Sequence, residues 1–509
     1  MTDIAAETAA HKPIIAGPVY PQSVKGPIRT RKTIVLIALL ALYYILPFLR
    51  WDRGPSAPDQ AVLLDFASGH FYFFFLELWI QDLILAAGLM IASAVGLFFV
   101  STLYGRVWCG FTCPQTLWTD LFMFVERWIE GDRNARMRLD ADPHAPGRLQ
   151  KKILKHAVWI LISVLTGGAF IFYFNDAPTT FVAIFDGTAP LSVHFFGILF
   201  TAFTYLLAGY AREKVCTYMC PWPRFQAALL DKDSMVVSYQ PWRGEPRGKR
   251  NLALRADLLN FAGGDSAAVA DAPPRAEGAG CGAAESGPLA FTRGDCIDCG
   301  LCVHVCPTGV DIREGLQLSC IGCGLCVDAC NGVMEKIDRP KGLIRFDSEN
   351  ALEARAAGRV PDRRPIWGRA RVWVYAVLFV GLISAIGAGY VNKGDAAMAV
   401  LHDRQPLFVR LTDGSVRNAY TLRVTNKTND AMTLELVVDG LPPAVQTSIR
   451  NQDGPRLELA PGAVASKRVF LVAPRGAVPL GQTPVTFMLV DPATGAATQT
   501  AESYFWGPK

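Results

Sequence analysis

Cys296, Cys299, Cys302 and Cys306 stand three, three and four residues apart, and Pro307 follows the last of them. Cys320, Cys323, Cys326 and Cys330 repeat that spacing, with Asn331 in the proline's place. Three thiolates separated by two residues can wrap a loop round one iron–sulfur cube, so that their sulfurs converge on three irons. The fourth begins a segment that leaves the loop and reaches the other cube. On that rule one [4Fe–4S] cluster takes Cys296, Cys299, Cys302 and Cys330, and the second takes Cys320, Cys323, Cys326 and Cys306. Zinc is the alternative, since C-x2-C pairs also bind it. A tetrahedral zinc would leave four thiolates without purpose, or would need two sites from an awkward spacing. Two cubes held close by the exchanged cysteines form a wire for single electrons. His304 and Asp328 lie between ligands and read as solvated loop positions.

A second group of thiols is paired differently. Cys109 and Cys113 precede Pro114, Cys216 and Cys220 precede Pro221, and an arginine (Arg106, Arg212) lies just upstream of each pair. Amphipathic stretches, 115–129 and 224–230, follow. In a helix, residues four apart share a face, so C-x3-C can present two thiols side by side. Proline is disfavoured inside a helix but welcome at its first position, so one helix is expected to end and another to begin at Cys113 and at Cys220. The helix dipole, with Arg106, Arg212 and Lys214, predicts that these thiols ionise easily. Packing of four small buried residues is the plainer alternative. Two identical spacings, each with a proline, argue against it. Four soft thiolates select Cu(I). A site that prefers Cu(I) also raises the Cu(II)/Cu(I) potential and so favours electron delivery to copper. Met219 could add a thioether, although apolar packing is the simpler reading. His156 and His194 read as interfacial residues, and Glu77 and Asp82 border a membrane span, where acids can guide cations.

The elements that position these residues can be read from composition. The chain has 509 residues, 51 % hydrophobic and only 19 % charged, against about a quarter charged in soluble domains. The deficit falls in five apolar stretches, 33–49, 83–103, 157–174, 193–211 and 372–390, each near the ~20 residues that cross a bilayer. Lysine and arginine crowd alternate connections and are absent from 175–192. The N-terminus and the cysteine-rich insert are therefore expected in the cytoplasm and the C-terminal part outside. Aromatic residues 71–75 and Trp79 are expected in an interfacial belt. Thirteen cysteines, eight of them within 296–330, suit thiolate ligation in a reducing compartment and not a disulfide framework. Disorder is excluded by the apolar content, and a net charge of +5 argues for no nucleic-acid partner. Residues 263–288 are rich in Ala, Gly and Pro and read as a low-complexity excursion in which Cys281 is incidental. In 400–509, alternating apolar residues at 407–411, 420–424, 433–438 and 468–472 are separated by turn signals, which predicts a small antiparallel sandwich.

The fold class expected is thus a multidomain membrane protein with a five-span α-helical bundle, a ferredoxin-like twin-cluster insert and a C-terminal immunoglobulin-like β-sandwich. The expected divisions are a tail 1–32, a four-span domain 33–230, a twin-cluster domain 231–371, a fifth span 372–390 and a sandwich domain 391–509. Two C-x3-C-P motifs after membrane spans, the twin-cluster insert, a further span and an outer sandwich together resemble the FixG/RdxA (CcoG) family of cytochrome oxidase accessory proteins. The resemblance implies a bacterial inner-membrane protein that assists assembly of a cbb-type haem–copper oxidase. It implies cupric reductase activity, with Cys109, Cys113, Cys216 and Cys220 handling copper. Implied partners are the bilayer, the oxidase subunits or copper chaperones, and a cytoplasmic electron donor. Two rivals remain at this stage. One is a quinol-oxidising membrane ferredoxin resembling the NapH type, and the other an assembly factor whose clusters are structural.

Overall fold

A computed structural model describes residues 18–55, 57–248, 294–361, 368–452 and 454–508. The 263–288 excursion and Cys281 fall outside the described residues. Five helices are long and apolar enough to cross a membrane, Pro27–Phe48, Leu83–Tyr104, Arg148–Ile171, Leu191–Ala211 and Ala370–Val391. Most of their large apolar side chains are exposed, as a lipid-facing surface requires. The first and third helices begin well before their apolar stretches. Pro27, at the first helical turn, starts the first one, which carries Arg29, Arg31 and Lys32 in its opening turns. Hydropathy reports the lipid-facing length, whereas the backbone continues wherever its charged side chains find partners.

The chain divides into two units. The first comprises residues 1–47 and 90–383, the second 48–89 and 384–509.

In the first unit the helix Pro114–Glu130 follows Cys113, which stands at its N-cap, with Pro114 at the first position. The second motif differs by one residue, because Pro221 occupies the cap and the helix runs Trp222–Leu229. Neither C-x3-C stretch is an ordinary helical turn. The Cys113 N–H donates to the Trp108 carbonyl (2.9 Å) and the Cys220 N–H to the Val215 carbonyl (2.7 Å). These are wide, five-residue turns of a kind that recurs at functional sites. The twin-cluster part contains the helices Leu301–His304 and Leu325–Lys336 and an antiparallel pair, Val236–Tyr239 with Ile344–Asp347. Val237, Ile312, Met334, Leu343 and Ile344 fill its core.

The C-terminal part of the second unit forms a sandwich of two antiparallel sheets. One is ordered Gln446–Ile449, Val464–Ala473, Val416–Asn426, Ala396–His402; the other Arg456–Leu459, Met432–Asp439, Gln482–Val490, Ala497–Trp506. Tyr420, Leu422, Val424, Val469, Leu471, Phe487, Leu489 and Phe505 form the core between them, by the alternation of strands with one buried face. Only Val409–Arg410 of the expected 407–411 strand pairs. The aromatic run expected in an interfacial belt lies in a three-stranded sheet, Val62–Asp65, His70–Phe73 and Leu76–Trp79, with Phe75 exposed. Tyr72 and Trp79 are buried. Alternate residues of these short strands face the protein, which an unbroken aromatic run does not reveal. Asp82 and Glu77 are also engaged, by Lys427 (2.6 Å) and Asn429 (3.1 Å), and so anchor the sheet to the sandwich.

Candidate electron-transfer site

Two apolar chambers open within the cysteine-rich part of the first unit. Cys296, Cys299, Cys302 and Cys330 line one, together with Tyr239, Leu301, Leu343 and Ile344. Cys306, Cys320, Cys323 and Cys326 line the other, and Cys302 reaches both. The first chamber thus meets four thiols and the second five, in each case drawn from both cysteine loops. Among the described residues no three His, Cys, Asp or Glu side chains close on a single ion. Four sulfurs spread round an apolar hollow fit a four-iron cube, where each thiolate takes a different iron. Burial pushes the free thiols of Cys302, Cys320 and Cys330 up to about 12. Metal binding must therefore draw off protons as it forms the thiolates.

One thiol of each C-x3-C-P motif packs against the second cluster loop. Cys109 and Cys216 share one apolar cluster with Ile321, Cys323, Leu325 and Cys326. Gly110 lies so close to the second loop that a Cβ there would meet the Cys323 Cα at 2.9 Å. Glycine is needed for this backbone-on-backbone approach. Arg106, 5 % exposed, points its guanidinium into the same loop and donates to the carbonyls of Leu318 (2.7 Å) and Cys320 (2.7 Å). The loop turns through Gly322 at φ +68°, where a Cβ would press on Arg106 at 3.0 Å.

The four membrane-face thiols influence one another. After burial, the charge of Cys113 acts most strongly on both Cys109 and Cys216. The expectation of easily ionised thiols is not met at these two. Burial pushes Cys109 up to about 12 and Cys216 up to about 11, and neighbouring thiols add to the effect. Arg106 only partly offsets this at Cys109, because its guanidinium is committed to the cluster loop. Arg212 is turned away too, paired with Glu126. Met219 is 63 % exposed and does not pack as expected.

Two glutamines cross-link the motifs. Gln226, fully buried after the second motif, accepts from the Cys109 thiol (3.1 Å) and donates to Ser101 (3.1 Å). Gln115, after the first motif, donates to the carbonyls of Leu207 (2.9 Å) and Arg212 (3.3 Å).

Sequence reasoning missed a buried charge lattice on the helix Pro114–Glu130. Asp120 pairs with Arg29 (2.9 Å), Glu126 with Arg136 (2.9 Å) and Glu130 with Lys155 (3.0 Å). Burial alone would raise Asp120 and Glu126. Lys32 and Arg29 at the former, and Arg212 at the latter, outweigh it and hold both below the usual carboxylate range. Acids four apart on an otherwise apolar helix face, as at Glu126 and Glu130, were the available signal. Asp328 also departs from its expected solvated role. Only 4 % exposed, it accepts from the Ile28 N–H (3.3 Å) and the Arg29 N–H (2.7 Å), capping the helix Pro27–Ile45. His156, within the helix Arg148–Ile171, bonds to the Tyr205 hydroxyl (3.0 Å).

Known proteins share these features. A model described as a 4Fe-4S dicluster domain matches residues 211–261 and 286–349, and a 4Fe-4S binding domain matches 86–131. A model for the IG-like fold at the C-terminus of FixG matches 386–508. The nitrogen fixation protein FixG of Rhizobium meliloti is 40 % identical over 505 residues, covering 94 % of this chain and 90 % of that one. Protein RdxA of Cereibacter sphaeroides is 42 % identical over 488 residues, covering 94 % and 92 %. A crystal structure of a FixG-related protein from Vibrio parahaemolyticus is 29 % identical and covers 23 % of this chain and 98 % of that one, with a TM-score of 0.20. With twin-cluster loops, five membrane-length helices and a terminal sandwich in a single chain, this membrane iron–sulfur electron-transfer protein belongs to the FixG/RdxA family.

Proposed function

We propose that this protein reduces Cu(II) to Cu(I) at Cys109, Cys113, Cys216 and Cys220 and thereby assists assembly of a cbb-type cytochrome oxidase in the bacterial inner membrane. The observation that supports it most is the contact of Gly110 with the Cys323 backbone, which sets the first thiol pair directly on a cluster-binding loop. Cys296, Cys299, Cys302 and Cys330 would hold one [4Fe–4S] cube, and Cys306, Cys320, Cys323 and Cys326 the other. When bound, the cubes supply single electrons. Copper is substrate, taken by soft sulfur ligands. Gln226 holds the Cys109 thiol oriented, and binding copper displaces the thiol protons. Lysine and arginine excess on the cluster side supports a cytoplasmic twin-cluster domain and an outward sandwich. The sandwich would dock oxidase subunits or copper chaperones.

The test is the Cys109→Ser, Cys113→Ser double variant, purified without oxygen, reduced with dithionite and freed of excess dithionite before Cu(II) is added. Copper reduction is expected to vanish while the cluster EPR signal stays. Normal copper reduction in that variant overturns the reading.

A second reading has its own support. The model matching 86–131 is described as 4Fe-4S binding, yet that stretch holds only Cys109 and Cys113. Joined by Cys216 and Cys220, the set could hold a further iron–sulfur cluster. Iron in excess of eight per chain, lost in the double variant, would favour it.

A further inference from the structure

One cavity among the described residues of the first unit belongs to neither cluster chamber. It measures about 630 Å³ and opens where two membrane helices end, within the range of small-molecule sites, about 300–1,000 Å³. His156 and Trp159 come from Arg148–Ile171, Tyr210 from the end of Leu191–Ala211, and Arg212 and Glu213 from the turn before Cys216. We propose that this cleft binds a membrane quinol whose oxidation supplies the electrons. The inference rests on the electron-transfer reading above and names the donor's chemical class.

Charge comes first. The cleft contains several cations, yet most are already neutralised. Lys152 pairs with Glu130 (2.9 Å) and Asp140 (2.6 Å), Lys155 with Glu130 (3.0 Å), and Arg212 with Glu126. A phosphate or nucleotide would find few free charges; an uncharged aromatic head group loses nothing.

The walls come second. Trp159 forms a buried aromatic floor, with Lys155 and Arg212 over its ring at 4.8 and 5.4 Å. His156 and Tyr210 run nearly parallel, 13° apart. The Tyr205 hydroxyl links them, 3.0 Å from the His156 Nδ1 and 3.3 Å from the Tyr210 hydroxyl. This chain of exchangeable protons and the Glu213 carboxyl suit the two hydroxyls of a quinol.

Position comes third. Arg212 and Glu213 also line a smaller chamber of about 20 Å³, shared with Cys216, Pro307 and Ile321. Arg212 and Glu213 thus form a wall common to the cleft and to the chamber that holds Cys216 and Ile321 of the second cluster loop. The quinol breaks its two O–H bonds and becomes a quinone. Its two protons go to His156 and Glu213, and its two electrons to the pair of one-electron [4Fe–4S] centres.

The test uses the full chain in lipid nanodiscs with a photoreactive azidoquinone. Cross-links mapped by mass spectrometry are expected in 148–171 and 205–214, competed by a short-chain quinol and at least tenfold weaker in Trp159→Ala. Anaerobic EPR follows cluster reduction by duroquinol, which should slow at least tenfold in His156→Gln, while reduction by dithionite is unchanged. Cross-links elsewhere, competition by anionic phospholipid but not by quinol, or unchanged duroquinol rates overturn the proposal. Dithionite-driven copper reduction is measured on the same samples; if it persists when the quinol arms fail, only the donor assignment falls.

Discussion

At the scale of single residues, the chemistry follows from what burial does to sulfur and to arginine. A thiol at about 12, as at Cys109, is ionised on the order of one part in ten thousand at pH 8. In the cluster-free chain, iodoacetamide at pH 8 should therefore label exposed Cys299 well before buried Cys109. Mass spectrometry of the alkylated peptides checks this, and equal rates would contradict the burial argument. Arg106 offers a second residue-scale prediction. Hydrogen bonds from a charged donor contribute about 1.5–3 kcal/mol each, and Arg106 gives such bonds to the Leu318 and Cys320 carbonyls of the second cluster loop. Arg106→Ala should lose or distort the cluster of that loop, read as a fall in iron content and a changed EPR line shape. The cluster of Cys296, Cys299, Cys302 and Cys330 should persist.

At the scale of elements, the helix Pro114–Glu130 couples the membrane motif to the rest of its unit. Its carboxylates have depressed pKa values, so the sign of their contribution is fixed. The stability they give is complete above the unfolded values of about 3.8 (Asp120) and 4.5 (Glu126) and is lost as pH falls through the lower folded values. Acid should thus loosen this helix below about pH 4, and Asp120→Asn should weaken that dependence in a CD-monitored acid titration. Gly110→Ala makes a sharper test of the contact itself. A methyl 2.9 Å from the Cys323 Cα forces the two backbones apart, so dithionite-driven copper reduction should fall while both cluster signals remain. Much at this scale was legible in the sequence. Cysteine spacing is a local property, and it named loops that the fold wraps round two chambers. Proline positions marked the helix start at Cys113 and missed the second by one residue. What stayed hidden depends on distant partners. Asp328 looks solvated until the helix from Pro27 arrives to be capped. Cys109 looks acidified until its arginine is seen to serve the cluster loop, and Trp79 looks interfacial until the short sheet turns it inward.

At the scale of the whole molecule, the proposed function needs copper, electrons and the oxidase to meet one polypeptide on defined sides of a bilayer. The supporting observation is the distribution of lysine and arginine, which crowd the connections 104–156 and are missing from 175–192. Translocation leaves such clusters on the cytoplasmic side. The membrane thiols and the twin-cluster loops would then face a reducing compartment, where free thiolates persist. The sandwich would face the periplasm and the oxidase. A cysteine introduced at exposed Asp439 should react with a membrane-impermeant maleimide in intact spheroplasts, while one introduced at exposed Glu335 should react only after lysis. Labelling of Glu335→Cys in unlysed cells would invert the orientation. It would place the cluster loops on the oxidising side and remove the compartmental basis for copper reduction at these thiols.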